Sequence, residues 1–196
     1  SLAAADPQEA ERYYDTQTGE RLPGTVPMSL VTARRAQGTV MKLEPSEIRD
    51  LGRMRAAASA LGPVFKAYGR IYGPGGILEG MSPNIVSRIS AGATSLLAQI
   101  QQSHPDLVAT IRQSSLIARR QLEQAGESGK ISDKDVIQAL ETIPKLSGLP
   151  DNPAVARKLI SDMIAIYNRQ TGSILQNPTF NDKKYITMPT IIVPLQ

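Results

Sequence analysis

Apolar side chains recur every three or four positions along most of residues 44–176, which is the spacing of amphipathic helices. A proline opens all but one of these segments, and proline suits the first helical turn because that position needs no N–H donor. The broadest apolar face lies in the last segment and consists of Val155, Leu159, Ile160, Met163, Ile164, Ile166 and Tyr167. The pattern predicts helices over Pro45–Leu61, Pro63–Tyr72, Pro83–Ser103, Pro105–Gln124, Asp133–Ile143 and Pro153–Leu175.

Glycine and proline set the predicted boundaries between these helices. Gly62 and Pro63 predict a break or a kink, and Pro144 predicts the end of the fifth helix. The Gly-Pro-Gly-Gly run at 73–76 indicates a turn. It is not followed by the Lys-Ser/Thr pair that a phosphate-binding P-loop requires.

The two ends of the chain lack a helical period. Residues 1–43 are interrupted by Pro7, Pro23 and Pro27, and residues 177–196 carry short β-prone runs interrupted by Pro189. Proline excludes the second segment from the centre of a sheet. The sequence therefore predicts an all-α fold, with an extended N-terminal arm (1–43), a helical domain of five to six helices in a bundle (44–176) and an extended C-terminal tail (177–196).

Composition narrows the chemistry that this chain can perform. It has no Cys and a single His, which excludes disulfides, thiolate metal sites and two-His zinc motifs. That histidine, His104, directly precedes Pro105 at a predicted helix start, so a cap or surface position is expected. No pair of carboxylates has a distinctive context. We therefore predict a protein that is not an enzyme, with no catalytic residue, no metal and no cofactor.

Positive charge is concentrated in one part of the chain. The net charge is +4, and residues 34–70 hold eight Lys or Arg against three Asp or Glu. Such a segment is either a solvated helix face or a stripe that faces phosphate or a protein partner. The candidate residues for nucleic-acid or partner contact are Arg34, Arg35, Arg49, Arg53, Lys66 and Arg70.

The segment between Met81 and Pro105 has the opposite character, because Arg88 is its only charged residue. A helix that is polar but nearly uncharged on one side is typical of the centre of a bundle. It is also typical of a subunit contact or of the lining of a neutral channel. The candidate subunit contacts on this segment and on the tail are Ser90, Ser95, Gln99, Ile186, Ile191, Ile192 and Val193.

Residues 129–170 have the most distinctive order of elements. A glycine precedes a capped short helix, a proline connector and a long amphipathic helix that ends near an Asn-Arg-Gln sequence. This order resembles a helical module of tailed-bacteriophage virion proteins, namely internal, DNA-ejection and tape-measure-like chains. The low-aromatic, Ala/Ser/Gln-rich body at 83–125 fits the same resemblance.

The resemblance implies a structural virion component of ejection or tail type, which forms a homo-oligomer and helps to form the conduit for DNA delivery. It implies other virion proteins as partners, nonspecific DNA contact, and envelope association through those partners. The expected location is the virion, and then the host cell envelope after ejection. Because the chain begins with Ser rather than Met, it is expected to be processed or part of a longer protein. The alternative is a small helical adaptor that binds a protein or nucleic-acid partner through residues 34–70.

Overall fold

The computed structural model describes residues 7–177, and this part of the chain is mostly helical with one two-stranded sheet. The all-α class is therefore confirmed. The elements are α1 (Pro7–Ala10), β1 (Tyr13–Asp15), α2 (Met28–Ala36), β2 (Val40–Lys42), α3 (Pro45–Tyr72), α4 (Pro83–Ser90), α5 (Leu96–Ser103), α6 (Pro105–Glu123), α7 (Asp133–Ser147) and α8 (Pro153–Ile174).

The first 43 residues correct one expectation, because residues 7–43 are folded rather than extended. Strands β1 and β2 pair antiparallel, with Tyr14 opposite Met41. A tight turn follows β1, where the Asp15 carboxylate accepts N–H groups from Gln17 and Thr18 at 2.7 and 3.0 Å. A small apolar cluster fills this N-terminal unit, formed by Ala10, Tyr13, Leu22, Val31 and Val40. Strands of three residues are too short to show a period in sequence, which is why this unit was missed.

Helix α3 is the central element and packs against α6 and α8. It begins with a capping box, in which the Glu47 carboxylate accepts the N–H of Glu44 at 2.8 Å. The helix continues through Pro63, so the predicted separation into two helices is wrong. Pro63 lies on the exposed side. The carbonyl that loses its N–H partner there is that of Ser59, also exposed, so water can solvate it and the cost of an internal proline is reduced.

The predicted helix over Pro83–Ser103 is instead two helices. Gly92 adopts a left-handed conformation with φ of 74° and ends the first of them. Ser95 then starts α5, where its hydroxyl accepts the N–H of Ala98 at 3.1 Å. The Ser95 cap is a local signal for a helix start. The sequence does not reveal it, because the apolar spacing continues without interruption across this position.

The remaining helices lie close to their predicted bounds. Helix α6 ends one residue early, at Glu123, and α8 ends at Ile174. Helix α7 passes through Pro144 and ends at Ser147, so the proline does not end it as predicted. The tail beyond residue 177, with its candidate contacts Ile186, Ile191, Ile192 and Val193, lies outside the described residues.

Candidate functional site

Two of the candidate cations are engaged within the chain itself. Arg49 Nε lies 2.8 Å from Glu127 Oε2, and Arg53 Nη1 lies 3.0 Å from Glu127 Oε1. Arg53 also donates to the carbonyl of Gln124. These hydrogen bonds from Arg53 and Arg49 lower the pKa of the Glu127 carboxyl. The first cation pair of α3 thus holds the loop between α6 and α7.

Two carboxylates of α3 strengthen the same junction. Asp50 is fully buried and accepts N–H groups from Gly126 at 3.2 Å and Ser128 at 2.8 Å. Glu47 forms an ion pair with Lys130. We refer to Glu47, Arg49, Asp50 and Arg53 together with loop residues 124–130 as the loop clasp. A buried carboxylate with backbone donors stabilises structure, so the clasp is a structural element.

The second cation pair of α3 is placed differently. Lys66 and Arg70 line an open depression of about 540 Å³ together with Gly69, Pro74, Gly75, Gly76 and Ile77. Both cations are exposed, and among residues 7–177 neither forms an ion pair with a carboxylate. We call this feature the Lys66–Arg70 depression. Among the described residues, Lys66 and Arg70 are therefore available to bind an anion.

Three residues of the glycine turn at 73–76, namely Pro74, Gly75 and Gly76, line this depression. The glycines of the turn tolerate little substitution. A Cβ on Gly76 would lie 2.6 Å from the Gly73 carbonyl oxygen and 2.9 Å from that of Arg70. Gly75 has φ of 65°, which disfavours other residues. The Gly75 N–H donates to the Glu79 carboxylate at 2.9 Å. The turn therefore presents a backbone donor that already holds an anionic group.

The other two candidate cations belong to the N-terminal unit. Arg34 and Arg35 lie in the last turn of α2, where positive charge favours the helix dipole. Arg35 is exposed and Arg34 is half-buried. The basic segment of the sequence is therefore three separate features rather than one stripe.

The candidate subunit contacts on α4 and α5 also differ in role. Ser95 is the α5 cap, and the Gln99 amide donates to the Thr94 hydroxyl at 3.2 Å. Ser90 is exposed and lines a groove of about 590 Å³ with Leu78, Val86, Ile89, Asp151, Asn152 and Pro153. Of the three, Ser90 is the residue placed on an open surface.

A second polar cluster joins α7 to α8 and was missed from sequence. Arg169 forms a two-pronged ion pair with Asp135, with N–O distances of 2.8 and 2.5 Å. The buried Gln170 contacts the same carboxylate and accepts the Ser132 N–H at 2.9 Å. The Arg169 hydrogen bonds lower the pKa of Asp135. This cluster fixes the start of α7 against α8.

His104 lies between α5 and α6, at the N-cap position of α6, with its Nδ1 2.9 Å from the Ser103 hydroxyl. No group of three or more His, Asp or Glu within residues 7–177 could hold a metal ion. Over the same residues, none of the helices has the length and apolarity needed to cross a bilayer. The chain matches no protein-family model, no curated protein and no solved structure.

Proposed function

We propose that this chain is a non-enzymatic structural protein of a tailed-bacteriophage particle, of ejection or tail type. It acts by oligomeric assembly with further copies and with other virion proteins, and it helps to form the conduit for DNA delivery. The family resemblance of residues 129–170 supports the phage assignment. The body of the subunit is a bundle built from α3 to α8.

One observation carries the assembly part of the proposal, namely the exposed aliphatic side chains of the helices. Leu116 and Ile117 are adjacent on α6 and are 49% and 51% exposed. Ile137 on α7 and Val155 on α8 are 56% and 47% exposed. Burying such side chains against a neighbour contributes about 25 cal/mol for each Å² removed from water. Isolated exposed aliphatic residues are common, so it is the adjacent pair on α6 that supports a contact.

The groove beside Ser90 supplies a second contact surface for the same proposal. An aspartate placed there would add a negative charge to a groove that already contains Asp151, and burying that charge in an interface would be unfavourable. Light scattering on a sizing column gives the solution mass. We expect a discrete multimer for the wild-type chain and a lower mass for Ser90→Asp.

Ser161→Asp is the matched control, because Ser161 is exposed on α8 outside the groove. It should leave the mass unchanged. A wild-type chain that stays monomeric at high concentration would contradict the assembly proposal. An unchanged multimer in Ser90→Asp would remove the groove from it.

A second candidate function is that of an adaptor which binds nucleic acid through the basic segment. The observation that favours it is the free charge of Lys66 and Arg70, since Arg49 and Arg53 are bound to Glu127. Retention on immobilised DNA that falls steeply with salt would support this function. Absence of retention at low salt would contradict it.

A further inference from the structure

Within residues 7–177, no ion pair with a carboxylate compensates the two positive charges of the Lys66–Arg70 depression. The two residues lie four apart on α3, so their side chains are neighbours on one face. At the same spacing, Arg119 is paired with Glu123 at 2.9 Å and Lys158 with Asp162 at 2.8 Å. Only Arg70 lies in the last turn of α3, where the helix dipole favours a cation. The dipole therefore does not account for Lys66.

The lining of the depression combines charged and apolar residues. It therefore suits a polymer in which charged and apolar groups alternate. Pro74 and Ile77 provide apolar area, and the glycines leave the backbone open to close approach. Arginine offers a planar fork of donors and lysine a compact charge, which together suit the oxygens of a phosphate group. The depression is open rather than enclosed, so it fits a phosphate that belongs to a passing strand.

Glu79 adds an anion to the same turn from within the protein. Its carboxylate accepts the Gly75 N–H at 2.9 Å, and Gly75 is one of the residues that line the depression. A phosphate held by Lys66 and Arg70 would come close to this carboxylate and be repelled by it. It could also replace the carboxylate on the N–H group.

We propose that the Lys66–Arg70 depression binds a phosphate group of a nucleic-acid backbone, and that Glu79 competes with this phosphate at the Gly75 N–H. The inference rests on the second candidate function and names its ligand and its internal competitor. It is independent of whether the chain forms a multimer.

The test is fluorescence anisotropy of a labelled 20-nucleotide duplex with the full chain at several salt concentrations. For Lys66→Ala/Arg70→Ala we expect affinity to fall by about tenfold, since two charge-assisted contacts are lost. The slope of log affinity against log salt should become shallower by about two. For Glu79→Gln we expect affinity to rise by about threefold, because one nearby negative charge is removed while a hydrogen-bond acceptor remains.

The matched control is Arg112→Ala/Arg120→Ala, which removes two exposed cations from α6. It should change affinity by less than twofold if binding is local to the depression. Circular dichroism of each variant verifies folding, which is expected because all of the substituted side chains are exposed.

The outcomes separate this inference from the function on which it rests. If the wild-type chain does not bind the duplex at low salt, the adaptor function fails. If it binds and the Lys66/Arg70 variant equals the α6 control, the function stands and the depression is overturned as its site. If Glu79→Gln weakens binding, the competition is overturned.

Inorganic phosphate distinguishes the two sources of the ligand. If the depression holds a strand, inorganic phosphate at low millimolar concentration and constant ionic strength should leave the duplex bound, because a strand makes more contacts with the protein than one phosphate does. Selective displacement by phosphate at low millimolar concentration would show that free phosphate is the ligand and would overturn the nucleic-acid part.

Discussion

Each half of α3 carries a pair of cations four residues apart, and the two pairs are placed in opposite ways. In the first half, Arg49 and Arg53 bind Glu127 and hold the loop clasp closed. In the second half, the hydroxyls of Tyr68 and Tyr72 donate to the carbonyls of Leu146 and Pro150. The second half is therefore held through its buried side, which leaves its cations free. Whether a cation pair is structural or available for binding depends on an acid that is distant in sequence.

Removing the buried carboxylate of the clasp should have the largest effect. Asp50→Ala leaves the N–H groups of Gly126 and Ser128 without their acceptor and removes one of the two carboxylates that pair with Arg53, which we expect to cost about 3 kcal/mol of stability. Urea denaturation followed by circular dichroism measures the loss. Asp162→Ala is the control, because its pair with Lys158 is exposed and contributes at most about 1 kcal/mol. Equal losses in the two variants would show that the clasp contributes no more than a surface ion pair.

Removing cations from one half of α3 or from the other tests directly whether the two pairs differ in their contribution to stability. Arg53→Ala should destabilise the fold by about 1–2 kcal/mol, since it strips donors from the Gln124 carbonyl and from two carboxylates. Lys66→Ala/Arg70→Ala should change stability by less than about 0.5 kcal/mol, because neither side chain is paired. Thermal and urea unfolding of the two variants provide the comparison. Similar losses would mean that Lys66 and Arg70 have a structural role.

The tyrosines of the second half should matter next. Tyr68→Phe removes the hydroxyl donor from the Leu146 carbonyl inside the core and leaves only the Leu149 N–H at 3.2 Å, and we expect a loss of about 1 kcal/mol. Burial raises the pKa of Tyr68 above its ordinary value of 10.0. The unfolded chain therefore releases this proton at lower pH than the folded chain does. The contribution is fully present below pH 10 and declines as pH rises above it.

The pH profile of Tyr68→Phe gives this prediction a second measurement. Stability against urea should fall less steeply above pH 10 in the variant than in the wild-type chain. Identical slopes in that range would contradict the assignment of the titration to Tyr68.

The smallest effect should be a gain in stability in both halves. Gly52 and Gly62 lie inside α3, and a Cβ at either position would meet no atom within 4 Å other than those of its chain neighbours. Gly52→Ala should stabilise the fold by about 0.5–1 kcal/mol through helix propensity and unfolded-state entropy. Gly62→Ala should gain less, because Pro63 crowds a Cβ on the residue before it in the helical conformation. The rise in melting temperature measures both gains, and a larger gain at Gly62 would contradict this order.

Local signals were sufficient for part of the fold. The starts of α6 and α8 follow from Pro105 and Pro153. Asn152 caps α8, and its side-chain oxygen Oδ1 accepts the Ala154 N–H at 2.8 Å. Pro63 and Pro144 misled the prediction, since both prolines lie on exposed sides where a lost hydrogen bond can be replaced by water. The period alone could not reveal the turn at Gly92, because the apolar spacing continues across it.

From the sequence, the candidate site could be predicted only as a segment with an excess of Lys and Arg. The sequence places eight cations between residues 34 and 70, but what separates the paired Arg49 and Arg53 from Lys66 and Arg70 is Glu127, which lies 78 residues from Arg49. The sequence predicts the glycine turn. It does not predict the hydrogen bond from the Gly75 N–H to Glu79, because a side chain that accepts a local backbone N–H produces no periodic pattern in the sequence.

The end of α8 has a mechanical consequence for the whole subunit. The Asn177 side-chain amide donates to the Thr16 carbonyl at 2.7 Å, and the Asn177 N–H is bonded to the Gly172 carbonyl at 2.8 Å. Thr16 is in turn bonded to Thr39 at 3.0 Å. A load applied just beyond residue 177 is therefore shared between the last turn of α8 and the N-terminal unit. A neighbour that pulled on this end would load α8 and the N-terminal unit together instead of separating α8 alone.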